Sequence, residues 1–127
     1  SIPAYERVRA QLQAADAVLI VSPEHNRSMP AAVKNLLDIA SRPAGKSLWG
    51  GKKTAVITAS PGSYGGINSG LHIRQSLQAM SADVMIAPEV FLSRAHTALA
   101  DGQVSDARTA AFLNKFAAAF YAWAQAE

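Results

Sequence analysis

The sequence contains no cysteine among its 127 residues. The absence excludes disulfides, thiolate metal ligands and a cysteine nucleophile. Charged residues make up only 17% of the chain, and Lys52-Lys53 is the only adjacent basic pair. A nucleic-acid-binding groove usually combines a basic stripe with interleaved aromatic residues, so this scattered charge disfavours that class. The net charge of +3 suits an anionic small molecule equally well.

Long apolar runs are also lacking. The run from Ala17 to Val21 is far too short to span a bilayer. The segment from Ser1 to Tyr5 does not combine a basic stretch with an apolar core, as a signal peptide would. These features favour a cytoplasmic protein that does not bind a membrane.

What the chain does contain is a regular alternation of two patterns. Continuous β-prone apolar runs at 17–21, 54–59 and 83–87 predict strands that are buried on both faces. Stretches with apolar residues at helical spacing precede, separate and follow these runs. This order predicts right-handed βαβ units, a parallel sheet and an α/β fold in which residues 1–127 form a single domain.

Two serines are predicted to begin helices. Ser28 is expected to cap the second helix, with Pro30 in its first turn, and Ser105 is expected to cap the last helix. The inner face of the last helix is predicted to consist of Leu113, Phe116, Ala117, Phe120 and Ala124.

The loop after the first strand is the first candidate site, because ligands of open α/β sheets bind at the carboxyl ends of strands. It runs Pro23-Glu24-His25-Asn26 and leads into a helix, whose first N–H groups are free to donate. Capping of backbone amides is the alternative role for Glu24, and we rank it slightly above contact with a ligand.

The loop after the second strand is the second candidate site. It runs from Ser60 to Gly66 and contains three glycines and one proline, which permit close approach of the backbone to a ligand. Tyr64 offers a flat surface for stacking on a ring. Two such loops at neighbouring strand ends suit a planar heterocycle with polar edge atoms, and a flavin is one example.

These residues carry a resemblance to a known family. The segment from Val18 to Asn26 resembles the strand-and-loop signature of the NADPH-dependent FMN reductases, which include chromate, quinone and azo-dye reductases. The usual family motif is Pro-Glu-Tyr-Asn, followed by Ser, Pro and Lys-Asn. Further matching residues are Ser28, Pro30, Lys34, Asn35, Asp38, Ser41, Arg42, Pro43, Gly51, Lys52, Ser60, Gly65, Gly66, His72, Ile73, Arg74, Gln75, Pro88 and Glu89.

The resemblance implies a flavodoxin-like α/β/α fold and an FMN-dependent oxidoreductase. NADPH or NADH would reduce the flavin, and a flavin, quinone, azo or metal-oxyanion acceptor would then take the electrons. It also implies a homodimer or homotetramer, and it requires no catalytic acid or base from the protein. The residues expected to bind the cofactor are Pro23, Glu24, His25, Asn26, Ser60, Pro61, Gly62, Ser63, Tyr64, Gly65 and Gly66.

The sequence departs from the family pattern in two places. His25 replaces the usual tyrosine, and we expect it to contact the flavin edge or an adjoining subunit. The first strand, the phosphate-binding loop and the second strand of the family have no counterpart, so we expect an exposed sheet edge and a bare apolar face. A fragment of a longer protein, a partner chain that completes the sheet, and a remnant that binds FMN weakly would each explain this.

Other function classes receive less support. A non-catalytic flavodoxin-like interaction module is the main alternative. The spacing of His25, His72 and His96 is not that of a metal site. Gly62-Ser63-Tyr64-Gly65 does not have the register of a hydrolase nucleophile elbow.

Overall fold

The computed structural model describes residues 2–126 and is built around a parallel sheet. Its central strand is β2 (Lys53–Ala59), which pairs on one side with β1 (Ala17–Ser22). On the other side β2 pairs with two short strands, β3 (Asp83–Val84) and β4 (Val90–Leu92). All of these pairings are parallel, so the predicted parallel α/β arrangement is confirmed.

One face of the sheet is covered by three helices. These are α1 (Pro3–Ala14), α2 (Ala31–Ala40) and α3 (Ile67–Ala79). Each contributes apolar side chains at helical spacing to one continuous core. Its buried members are Ile20, Leu37, Ala40, Trp49, Val56, Ile73 and Leu77.

The other face is covered by the last helix. After β4 the chain forms a short helix, α4 (Ala95–Ala98), and a hairpin of β5 (Leu99–Ala100) and β6 (Gln103–Val104), which precede α5 (Ala107–Gln125). Phe116 of α5 packs on the sheet and completes the α/β/α layering. Neither α5 nor any other helix within residues 2–126 is long and apolar enough to cross a membrane.

Two adjacent lysines at the start of β2 tie the layers together. Lys52 donates through Nζ to the carbonyl oxygen of Ala15, just after α1, at 2.6 Å. Lys53 donates through Nζ to the carbonyl oxygens of Trp123 at 2.7 Å and of Ala126. Because neighbouring residues of an extended chain point to opposite faces, the two lysines bind carbonyl oxygens at the C-terminal ends of α1 and α5, on opposite faces of the sheet.

The third strand differs from its prediction over 83–87. Only the first two residues of that run pair with β2; Ile86 is 83% exposed, and pairing resumes at Val90. Pro88 has no N–H to donate to the ladder, and proline restricts the backbone of the preceding Ala87. The strand is therefore interrupted, and β4 restores the pairing that positions the second candidate loop.

The predicted serine caps are wrong. Pro30 occupies the N-cap position of α2, and Asp106, not Ser105, accepts a hydrogen bond from the Thr109 N–H at 2.9 Å. Ser28 instead bonds to α3, as described below. Both cases reflect the one- or two-residue uncertainty of helix starts when several polar residues precede the helix.

The inner face of α5 matches the prediction only in part. Phe116 is buried, and Leu113 and Phe120 pack partly buried against the same core. Ala117 is exposed, whereas Trp123 packs against this core and was missed. The helix is therefore rotated slightly from the predicted orientation, and this rotation brings the Trp123 side chain onto the sheet.

The bare apolar face expected from the sequence is present on β1. Leu19 is 40% exposed and Val21 is 64% exposed. Both side chains lie on the sheet face against which α5 packs at the neighbouring strands. Within the described residues, β1 pairs with β2 alone, so its other edge has no partner strand. The expected open edge is therefore also present.

Candidate functional site

The two candidate loops lie at the same edge of the sheet. Ser22 at the end of β1 pairs with Thr58 near the end of β2, and both strands run in the same direction. The segments 23–28 and 60–66 therefore leave the sheet side by side, as predicted for a shared crevice. Their proposed contacts with a cofactor stay a prediction.

Glu24 fixes the first loop to helix α3. Its Oε1 accepts a hydrogen bond from the Ser69 N–H at 2.8 Å, in the first turn of that helix. Ser69 Oγ donates to the carbonyl oxygen of Pro23 at 2.9 Å. The carboxylate thus caps a backbone amide of α3, the alternative role predicted for it from the sequence, and it also complements the positive end of the helix dipole.

His25 to Ser28 form a tight turn at the tip of the first loop. The His25 N–H donates to the Ser28 carbonyl at 2.9 Å, and the Ser28 N–H donates to the His25 carbonyl at 3.0 Å. Asn26 and Arg27 at the centre have positive φ angles of 53° and 68°. Ser28 Oγ also shares a hydrogen bond of 2.8 Å with His72 Nδ1, which fastens the turn to α3.

The glycine-rich loop is divided into a buried half and an exposed half. A Cβ on Gly65 would lie 2.5 Å from the Phe91 carbonyl oxygen, and one on Gly66 would lie 2.9 Å from the Thr58 Cβ. Both positions have positive φ and require glycine because of this packing. The residues that remain open to a ligand are Pro61, Gly62, Ser63 and Tyr64.

A third segment, after β4, supports the second loop. The Ser60 N–H donates to the Leu92 carbonyl at 3.0 Å, and the Arg94 N–H donates to the Gly62 carbonyl at 2.9 Å. The Ala95 N–H donates to the Ser60 carbonyl at 2.9 Å. These bonds hold the glycine loop against the sheet, so its exposed half is presented on a fixed base.

Main-chain donors are available on both sides of the crevice. In the part of the chain that the structure describes, no acceptor is assigned to the N–H groups of Glu24, Asn26, Ser63 and Tyr64. Asn26 and the two donors of the second loop belong to exposed residues. Such groups can bind the polar edge of a planar ligand without any charged side chain.

Three contributors to this arrangement were not predicted as site residues. Ser69 lies in a helix, and its sequence context contains no signal for its bonds with Pro23 and Glu24. Arg27 directly follows the first candidate loop, and its Cζ is 5.9 Å from the centroid of the Tyr64 ring. The support from Leu92 depends on the unpredicted strand β4.

No group of three histidine, aspartate or glutamate side chains comes together as a set of metal ligands within residues 2–126. The chemistry of the crevice therefore depends on main-chain donors, one engaged carboxylate and an arginine–tyrosine pair. This donor set is suited to a neutral or electron-rich organic ring.

The chain matches the family model described as NADPH-dependent FMN reductase over residues 2–97. It is 41% identical over 120 residues to a quinone reductase of Pseudomonas putida, covering 94% of this chain and 64% of that protein. It is 38% identical over 116 residues to a 2-hydroxy-1,4-benzoquinone reductase of a Burkholderia species, covering 91% of this chain and 63% of that protein. The chain thus spans slightly less than two thirds of these relatives.

Among solved structures, the chain resembles FerB, a flavoenzyme NAD(P)H:(acceptor) oxidoreductase of Paracoccus denitrificans. The TM-score is 0.90 at 36% sequence identity, and the match covers 98% of this chain and 69% of FerB. The flavodoxin-like fold expected from the resemblance is confirmed by this agreement and by the parallel sheet.

Proposed function

The chain belongs to the NADPH-dependent FMN reductase family, and from this premise we propose that it is the catalytic part of an FMN-dependent oxidoreductase. Electrons would pass from NAD(P)H to a quinone acceptor, the acceptor class named in the relatives. Flavin, azo and metal-oxyanion acceptors remain further predictions from the sequence. The observation that carries the proposal is that segments 23–28 and 60–66 leave the same edge of the sheet side by side, with main-chain donors on both.

The donor set of the crevice fits the ring of FMN. An isoalloxazine has carbonyl and ring-nitrogen acceptors along one edge and a flat apolar face. Asn26 on one loop and Ser63 on the other offer N–H groups with no assigned acceptor in the described chain. Tyr64, which is 70% exposed, offers an aromatic surface. These residues would hold the ring, and the Glu24 carboxylate would position the first loop through its bond to Ser69.

Bound FMN would supply the redox chemistry by accepting a hydride from NAD(P)H and returning two electrons to the acceptor. In the overall reaction a quinone, NAD(P)H and one proton from solvent give a hydroquinone and NAD(P)⁺. The protein's own contribution is rigidity. Gly65 and Gly66 pack on the sheet, and the Glu24–Ser69 bond fixes the opposite loop, so the crevice needs little reorganisation when a ligand binds.

The phosphate of FMN needs a separate cradle. We expect it in the third of the relatives' length that this chain does not cover, which would also cover Leu19, Val21 and the open edge of β1. The cytoplasmic location, the homodimer or homotetramer, and contact of His25 with the flavin or a neighbouring subunit stay predictions.

Flavin uptake and turnover test the proposal together. The purified full-length protein is incubated with FMN and desalted, and the retained flavin is measured by its visible absorbance. NADPH oxidation is then followed with an uncharged naphthoquinone. We expect a yellow protein whose NADPH oxidation depends on the quinone.

A control variant is Gln75→Ala, at an exposed position on α3. It should retain flavin as the unmodified chain does. A colourless full-length protein that FMN cannot reconstitute at micromolar concentration contradicts the proposal and favours a non-catalytic module.

A further inference from the structure

We propose that Arg27 determines the acceptor specificity of this site, favouring aromatic acceptors that carry a negative charge. The inference rests on the proposed function, because it concerns what binds beside the ring in the same crevice. It assigns a role to a side chain that lies outside the set expected to hold the cofactor.

The backbone of Arg27 is held in place. The turn from His25 to Ser28 is closed by two reciprocal main-chain hydrogen bonds of 2.9 and 3.0 Å, and Ser28 Oγ bonds to His72 on α3 at 2.8 Å. Arg27 adopts a φ of 68°, in the left-handed region that side chains other than glycine and asparagine rarely occupy. The surrounding bonds therefore impose this conformation and fix where the arginine begins.

The side chain reaches across the mouth of the crevice. The Arg27 Cζ lies 5.9 Å from the centroid of the Tyr64 ring on the opposite loop. Tyr64 is 70% exposed, so both groups are accessible to a ligand. A guanidinium next to an aromatic face presents a flat surface for a ring and a set of N–H donors for an anionic substituent.

The positive charge of Arg27 is not neutralised locally. Arg27 forms no ion pair with any residue in the range 2–126. Glu24 is the only carboxylate in the segments 23–28 and 60–66, and its Oε1 already accepts the Ser69 N–H. The Arg27 guanidinium therefore has no carboxylate partner in these two segments, and a sulfonate or carboxylate on the acceptor supplies one.

The test compares an uncharged naphthoquinone with the same ring carrying a sulfonate. We measure the unmodified protein and the variants Arg27→Gln and Arg27→Lys, each loaded with FMN. The control is Arg7→Gln, on the exposed surface of α1. The first readout is the Kd of each acceptor by calorimetry without NADPH, and the second is kcat/KM with NADPH.

We expect Arg27→Gln to lower the ratio of sulfonate to uncharged kcat/KM by about tenfold, the loss typical of one charge-assisted contact. The Kd ratio should change in the same direction. Arg27→Lys should lower the kcat/KM ratio less than Arg27→Gln does. Salt at 0.5 M, where the screening length is about 4 Å, should reduce the preference of the unmodified protein for the sulfonated acceptor. Arg7→Gln should leave both ratios as they are.

Equal effects of Arg27→Gln on both acceptors, or none on either, overturn the inference, because a merely structural role would not separate charged from uncharged rings. If the protein takes up FMN and reduces both acceptors but shows this result, the proposed function stands and only the inference fails. A protein that retains no FMN contradicts the proposed function first and the inference with it.

Discussion

Glu24 and Ser69 are 45 positions apart in the chain, yet the Glu24 Oε1 accepts the Ser69 N–H at 2.8 Å. This bond joins the loop after β1 to the first turn of α3. Because the glycine loop leads directly into α3, the Glu24–Ser69 bond also fixes the spacing of the two candidate loops. The crevice is thus defined by a hydrogen bond between its two walls as well as by the pairing of β1 with β2.

Replacing Glu24 by alanine should reduce stability and loosen the crevice. We expect the free energy of unfolding, from urea titration, to fall by about 1–2 kcal/mol, the usual loss for a helix N-terminal cap. Glu24→Gln retains a carbonyl acceptor and should lose less. Glu89→Ala, at an exposed position, serves as the control. An equal effect of Glu24→Ala and Glu89→Ala would contradict the role assigned to this bond.

Much of this architecture follows from sequence patterns. The runs at 17–21 and 54–59 are apolar and β-prone over five or six residues, which suffices to predict buried parallel strands. The loops that follow must then meet at one edge, so the crevice could be located without coordinates. The first motif also indicated the family, because its residues match the family signature at positions that hydrophobic periodicity does not specify.

What the sequence could not provide depends on long-range contacts. The bond between Glu24 and Ser69 and the approach of Arg27 to Tyr64 have no local signal. The break of the third strand follows from Pro88, but the return of the chain at Val90 depends on pairing with β2. Which of two adjacent polar residues caps α5 is likewise decided by geometry, not composition.

The glycine loop offers a test of its division into two halves. Gly65→Ala should lower stability by about 2 kcal/mol or more, since its Cβ would meet the Phe91 carbonyl and its φ is positive. Gly62→Ala should be tolerated, because its nearest neighbour is Ser60 Oγ at 3.4 Å. Thermal unfolding of both variants measures this difference. Similar losses at the two positions would argue against the packing described for the buried half.

Lys53 should stabilise the end of α5 through its two carbonyl acceptors. Lys53→Met keeps most of the side-chain volume but removes the charge and the bonds to Trp123 and Ala126. We expect a loss of about 1–2 kcal/mol in the free energy of unfolding. Faster amide hydrogen exchange in the last turn of α5 should accompany it. Lys115→Met, on the exposed side of the same helix, should change neither quantity.

Asp106 makes the stability of α5 dependent on pH. Its hydrogen bonds from the Thr109 hydroxyl and then from the Thr109 N–H hold its pKa below the ordinary 3.8. A lowered folded-state pKa adds stability above the unfolded value, and this stability is lost as the pH falls through the folded value. Asp106→Ala should therefore lower Tm at neutral pH, with a difference that shrinks below about pH 4.

Ser105→Ala is the control for this experiment, because Ser105 precedes the cap and its side chain is not the one that bonds to Thr109. It should leave Tm unchanged at every pH. A Tm gap for Asp106→Ala that stays constant down to pH 2 would show that ionisation is not involved.

The most direct test of the account maps the amides that respond to FMN. In ¹H–¹⁵N spectra of the protein titrated with FMN, the largest shifts should fall on Glu24, Asn26, Ser63 and Tyr64, on both walls of the crevice. Amides of the exposed side of α5 should not move. Saturable shifts confined to another surface, or no shifts while FMN is retained, would contradict the claim that these two loops hold the flavin ring.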